Sequence, residues 1–349
     1  MFGNVMAIER ALGTGIIISS SVPISQRVQK RIRDFIEEYE SVLSRFRADS
    51  LVSRMARAEH GGEFEFPAWA QPLFALYSEF YAATHGAFDA CIGADLLAFG
   101  YSNSVHFIPQ SAAGSGKNEN SSIDSWSNYR RALPVTWADI LQGGCSTTLC
   151  TNQPVQLDFG AAGKGYFVDL VTQIIKEELS GDSPSNSDSH ADFDFLVNAG
   201  GDMRAYFSEE NSQIKVALEN PFDTTQAIGV ASIASGALCA SSNARRRWKV
   251  KDVSGFESNL IATHLINALD GIPACDLCAS WAYIPAKTCD FPTAYADAIA
   301  SALFVSKESD LQKIVQNVGA EFAVMLPNYA LRKTCAFPAR FFAESIQKD

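Results

Sequence analysis

The chain has 349 residues, long enough for one large domain or two lobes, and its 47% hydrophobic and 19% charged content is that of an ordinary globular enzyme. A net charge of −11 argues against broad nucleic-acid binding, which needs a basic surface to release counterions, and no apolar run is long enough to span a bilayer. The opening MFGNVMAIERALGTGIIISSS has no basic stretch followed by a long apolar run and a cleavage site, so no signal peptide or lipoprotein signal is read and the expected location is cytoplasmic.

In chain order, Thr14 to Val22 (TGIIISSSV) is β-rich and predicts an early strand. Ser25 is a candidate N-cap for a long helix in which Val28, Ile32, Phe35, Ile36, Tyr39, Val42, Leu43 and Phe46 recur at three- and four-residue spacing. Pro72 marks the start of another helix, with Leu73, Leu76, Tyr77, Phe80 and Tyr81 on one face, running into a turn at His85-Gly86-Ala87-Phe88-Asp89. Two polar stretches, 102–125 and 180–192, are rich in Ser, Asn, Gly and Asp and read as flexible insertions. Phe193 to Asn198 predicts a strand that ends at Gly200-Gly201-Asp202. Further strands are expected at Gln213 to Leu218, Ile228 to Ile233, Trp281 to Ile284 and Glu321 to Leu326, with a helix from about Tyr295 to Val305. This mixed order predicts α+β or α/β rather than a pure dinucleotide-binding array.

Eight cysteines are present. Cys275 and Cys278 make one CxxC, but a structural zinc site takes four ligands, usually from two such pairs, and there is no second pair. Reduced, mostly buried thiols are the expectation.

The most informative stretch is Leu157 to Asp169, LDFGAAGKGYFVD. An apolar entry ends in Asp158, small residues follow (Gly160, Ala161, Ala162, Gly163), then Lys164 and Gly165 open an amphipathic run from Tyr166 to Leu179. A strand–loop–helix layout of this kind points amide N–H groups and the positive helix end at an anion, and small residues let the main chain approach it closely. It is not a P-loop, because only two residues separate Gly160 from Gly163 and glycine follows Lys164. A tight turn packed with small residues is the other reading.

Several short motifs follow one another in a fixed order: Ala11-Leu12-Gly13-Thr14, SRFRADSLVSRM at 44–55, GAFDACIGAD at 86–95, LDFGAAGKGYFVD at 157–169, LVNAGGDMR at 196–204, THLINALDGIP at 263–273 and ADAIASALFV at 296–305. Together they resemble the ApbE family of FAD:protein FMN transferases, from about Leu12 to about Pro327. The fold that this resemblance implies is α+β, ApbE-like and T-fold-related: mixed sheets with packed helices in two closely joined lobes, with 1–349 forming one catalytic domain. The activity it implies is Mg2+-dependent transfer of FMN from FAD, the substrate, to a threonine hydroxyl of an acceptor flavoprotein, with release of AMP. Some relatives instead hydrolyse FAD to FMN and AMP, and a non-catalytic flavin-binding protein is a third outcome.

The same resemblance assigns residues. Asp297 and Ser301 stand four apart on a predicted helix, so their oxygens share a face, and such hard ligands suit Mg2+; the main-chain carbonyl of Ala161 is the expected third ligand. Taken alone, Asp297 reads sooner as a helix cap or first-turn acid; with the other motifs the metal reading leads. His264 is the expected proton acceptor for the attacking hydroxyl, with an ordinary pKa near neutrality. It occupies the histidine slot of the family segment H-I-I-D-P-x-T-G, where Asn267, Ala268 and Asp270 replace the usual Asp, Pro and Thr. Leu12, Ala87, Phe88, Asp89, Asp158 and Lys164 correspond to cofactor contacts. Near 240–247 the family has a T-S-G turn, whose positions Ser241, Ser242 and Asn243 take here.

Overall fold

Eight strands pair in the order in which the chain makes them. In the computed structural model these are β1 (Asn4–Ala11), β2 (Thr14–Ser20), β3 (Phe195–Ala199), β4 (Asp202–Tyr206), β5 (Gly236–Ser242), β6 (Ala279–Pro285), β7 (Glu321–Met325) and β8 (Leu331–Lys333). Every pairing in this sheet is antiparallel. The described residues are 2–101, 135–140, 146–179, 193–244, 246–251 and 257–342, and the insertions expected at 102–125 and 180–192 lie outside them.

Helices fill the connections: α1 (Gln26–Leu43), α2 (Leu51–Arg57), α3 (Gln71–Ala83), α4 (Gly93–Ala98), α5 (Trp137–Ile140), α6 (Gly163–Leu179), α7 (Pro292–Val305) and α8 (Glu308–Val318). In α1 the Ser25 hydroxyl accepts the Val28 amide at 3.3 Å, and the expected apolar stripe is buried or half-buried through Leu43. The helix ends there, so Phe46 lies beyond it and is 38% exposed.

Alternation along each strand divides the sheet into two faces. Ala237 and Cys239 of β5, with Ala282 and Ile284 of β6, pack into the main core shared with α6 and α7. Leu238 and Trp281 point the other way, into a second core with Leu218, Ala231 and Ile233. Those come from a three-stranded sheet of Ile214–Asn220, Asp223–Ile233 and Ala339–Phe341 that covers the second face. This phase puts Asp202 and Arg204 of β4, and Ser241 of β5, on the helix side.

Helix α7 lies against that face and is buried on nearly every side; Ala296, Ala298, Ala300 and Ala302 are fully shielded. Small side chains let it pack closely, and alanine is also the best helix former. Pro292 starts it, but Phe291 offers no side-chain cap. The cap comes from α6 instead. Asp169 accepts the Thr293 amide at 2.9 Å, the Thr293 hydroxyl at 2.6 Å and the Ala294 amide at 2.9 Å. The Cys275–Cys278 pair gathers no ligands: Cys275 is exposed, Cys278 is buried, and no group of three or more His, Cys, Asp or Glu suited to a metal occurs among the described residues.

Candidate active site

A cleft of about 960 Å3 opens between the bend at 158–164, α7 and the ends of β4 and β5. Every residue assigned to a site from the sequence lines it: Leu12, Ala87, Phe88, Asp89, Asp158, Ala161, Lys164, His264, Asp297 and Ser301.

The bend is shaped by its own acid. Asp158 accepts the Gly160 amide on Oδ1 at 2.7 Å and Arg45 Nε on Oδ2 at 2.5 Å. Helix α6 then begins at Gly163 in an unusual way. The Gly165 amide does not return to the carbonyl of Ala161, four residues back, but donates to Asp297 Oδ2 at 3.0 Å. Among the described residues the Ala161 carbonyl accepts no backbone hydrogen bond, so its lone pairs remain available on the cleft wall. Only glycine allows this approach. A Cβ on residue 165 would lie 2.2 Å from the Thr293 carbonyl oxygen and 2.8 Å from the Asp297 Cβ.

Asp297 is the sixth residue of α7, past the cap and the first turn, so it is not a helix-end acid. It is 2% exposed, and its hydrogen bonds all fall on Oδ2, leaving Oδ1 without a partner among the described residues. One turn on, Ser301 Oγ meets Ser241 Oγ at 3.0 Å. Lys164 Nζ binds Asp202 Oδ2 at 2.5 Å and reaches Asp297 Oδ2 at 3.4 Å. Burial alone would lower this ammonium's pKa, but the Asp202 and Asp297 carboxylates outweigh it and raise the value. Burial and the nearby Asp202 charge push the Asp297 carboxyl upward. Two buried carboxylates therefore share one cation, which favours a proton or a second cation at Asp297.

Asp202 is the functional residue that sequence reasoning passed over, although it sits in the NAGGD run. Asn198 Oδ1 takes the Gly201 amide at 2.9 Å, and left-handed Gly200 and Gly201 (φ 67° and 109°) turn the chain tightly enough to start β4 at this carboxylate.

The remaining candidates are walls and supports. Leu12 adopts φ 54°, rare for its type, and its amide is held by Glu40 Oε1 at 2.7 Å. Asp89 uses both oxygens on backbone amides, of Cys91 at 2.7 Å and Trp137 at 3.1 Å, so its carboxylate fixes the local chain while Ala87 and Phe88 form the wall. Asp270 is exposed and caps its own turn through the Ile272 amide at 2.8 Å.

His264 also lines the cleft, half-buried, with Nδ1 shielded and unpartnered among the described residues. Burial, followed by the Arg246 and Lys164 charges, pushes its pKa down to about 3.

A sequence model of the ApbE family matches residues 12–326. No curated protein matches the chain. Among solved structures, the ApbE protein of Thermotoga maritima is similar with 20% identity and a TM-score of 0.70, over 96% of this chain and 98% of that one. The flavin transferase ApbE of Vibrio cholerae aligns with 17% identity and a TM-score of 0.68, over 95% and 96%. The Pseudomonas stutzeri flavinyl transferase ApbE, in its apo form, gives 20% and 0.66, over 97% and 96%. At these identities the likeness is one of fold.

Proposed function

Because the chain belongs to the ApbE family, we propose that it is an FAD:protein FMN transferase, moving FMN from FAD to a threonine hydroxyl of an acceptor flavoprotein and releasing AMP. The observation that supports this best is the meeting of Lys164, Asp297 and Ser301 with the small-residue bend, in one cleft that also holds His264. Its volume, about 960 Å3, is at the upper end for ligand sites, as a dinucleotide requires.

The donor set fits a divalent cation. Asp297 Oδ1, Ser301 Oγ and the Ala161 carbonyl are all oxygens, Oδ1 and the carbonyl lack described partners, and two buried carboxylates share one ammonium. These three would hold Mg2+, which supplies charge neutralisation on the diphosphate. Lys164 is the cation that would meet phosphate oxygens; the Gly163, Gly165 and Tyr166 amides at the start of α6 are already bonded within the protein. The threonine oxygen forms a bond to the FMN phosphorus as the bond from that phosphorus to the bridging oxygen breaks. AMP leaves with the electron pair, and the hydroxyl proton passes to the His264 imidazole.

With a pKa near 3, His264 is neutral in the free protein and ready to accept a proton, but weakly basic. An incoming diphosphate offsets the Arg246 and Lys164 charges, which add to the larger effect of burial. The imidazole resonance should therefore titrate well below 6.5 in free protein and move upward when FAD binds; a free-protein midpoint near 6.5 would contradict this. The sign for stability follows. Below pH 6.5 the unfolded chain binds a proton that the folded one refuses, so this histidine's contribution falls as pH drops from 6.5 towards 3.

The deciding assay uses purified protein, FAD and Mg2+, with and without a candidate flavoprotein. AMP formed only with the acceptor, which becomes covalently flavinylated, supports transfer. AMP with free FMN and no acceptor marks an FAD pyrophosphatase, and intact bound FAD without AMP marks a flavin carrier.

A further inference from the structure

Both ends of α7 are held by side chains from elsewhere in the chain. Asp169 of α6 caps the first turn. At the far end the carbonyl of Val305, the last helical residue, accepts Asn267 Nδ2 at 3.2 Å. Helix ends leave such carbonyls without intrahelical partners. Asn267 Oδ1 at the same time accepts the Leu269 amide at 2.9 Å. A backbone N–H can only donate, so this bond fixes which end of the side-chain amide is oxygen.

Around Asn267 the chain is tied in three directions. Its carbonyl takes the Gly271 amide at 2.8 Å, closing the hairpin of Ile266–Asn267 and Ile272–Pro273. The next residue, Ala268, donates to the carbonyl of Ala87, another residue of the cleft lining, at 3.1 Å. The Leu265 carbonyl receives the Ala274 amide at 2.8 Å, so the residue that follows His264 is bonded into the same hairpin. The imidazole therefore rides on a unit that is hydrogen-bonded to the end of α7 through the Asn267 side-chain amide.

We infer that Asn267 is a positioning residue, which registers His264 against the face of α7 that carries Asp297 and Ser301. The geometry needs an amide. The side chain must donate to Val305 and accept from Leu269 together, which a carboxylate cannot do. A carboxylate would also bring negative charge to the negative end of the helix. Asp, the residue of the family segment at this position, is thus the wrong one in this chain. The activity arm of the test rests on the transfer reading; the placement arm does not.

The test compares Asn267→Ala and Asn267→Asp with the wild type, each verified as folded by thermal melting. With FAD, Mg2+ and an acceptor, kcat should fall in the order wild type, Ala, Asp, by about tenfold for Ala and more for Asp. The Kd for FAD should stay within about threefold, because the nucleotide's phosphates are held elsewhere. Without substrate, the His264 imidazole resonances should move in both variants. Three results would each overturn the inference: an Asp variant with kcat equal to or above wild type, a loss confined to FAD affinity, or unmoved His264 resonances. Wild-type protein that never releases AMP counts against the transfer reading instead, and the resonances then decide the placement claim.

Discussion

Asp297→Ala is expected to abolish FAD-dependent AMP release while leaving the protein folded. The two consequences have separate causes. In the free protein Asp297 and Asp202 both depend on the one ammonium of Lys164, and burial already works against the Asp297 charge. Removing Asp297 leaves the Lys164–Asp202 pair at 2.5 Å intact and relieves the repulsion between the acids. Against this, the Gly165 amide loses its acceptor. A half-broken buried network would be costly, but here the charge that goes is the surplus one. The melting temperature should thus change by only a few degrees. For catalysis the loss is of a different order. Neutralisation of a reacting diphosphate by a metal supplies several kcal/mol, and at about 1.4 kcal/mol per decade this is about a thousandfold in rate or more. Mg2+ should also raise the melting temperature of the wild type but not of the variant, by mass action. Unaltered AMP release by Asp297→Ala would remove the metal assignment altogether.

Gly165→Ala is expected to damage the fold and the site together. In an ordinary helix the change would stabilise by up to about 1 kcal/mol. Here the added carbon would lie 2.2 Å from the Thr293 carbonyl oxygen and 2.7 Å from its carbonyl carbon, backbone atoms that cannot swing aside. Helices α6 and α7 must separate, at a cost near or above the usual overpacking range of about 1–3 kcal/mol. Separation also draws Asp297 off the Gly165 amide, and a displacement of about 1 Å at a reacting centre can cost about a hundredfold in rate. Gly163→Ala is the control. Its nearest neighbours, the Phe159 Cβ and the Tyr39 hydroxyl, would both be 3.5 Å away, an ordinary contact. Melting curves and AMP release for both variants test the argument, which fails if Gly165→Ala behaves like Gly163→Ala.

What the sequence discloses of this fold follows from where each element gets its support. Helix α1 carries its own signals, a capping serine and an apolar stripe, and is legible from Ser25 onwards. Helix α7 begins at Pro292, three residues before the expected Tyr295, because its first turn is capped by Asp169, more than a hundred residues earlier. Strand β5, GALCASS, has neither β-branched residues nor alternation, since small side chains suit a strand covered on both faces. Strand β1 exposes four of its eight residues, Val5 among them, and buries only Met6 and Ala11, so its sequence leaves no clear period to read. The metal-ligand candidates were legible because Asp297 and Ser301 lie four apart on one helix. Asp202 was not, because its meaning depends on Lys164, 38 residues away, and a charge partner across a sheet leaves no periodic trace. The replacements at 267–270 depart from the family segment, and in the folded chain Asn267 and Asp270 each make bonds of their own.

The order of strands in the main sheet also bears on how the molecule assembles. Hairpins β1–β2 and β3–β4 join neighbours in sequence, whereas β2 and β3 must meet across everything between Ser20 and Phe195. Closing so long a loop is entropically expensive and slow compared with making a hairpin. Refolding should therefore protect amides between Ile16 and Ser20 that face β3 later than those within β3–β4, as pulsed hydrogen exchange can time. Leu12 and Asp202 line the cleft from opposite sides of that seam, so the complete site should arrive at the end of folding, after most secondary structure has formed.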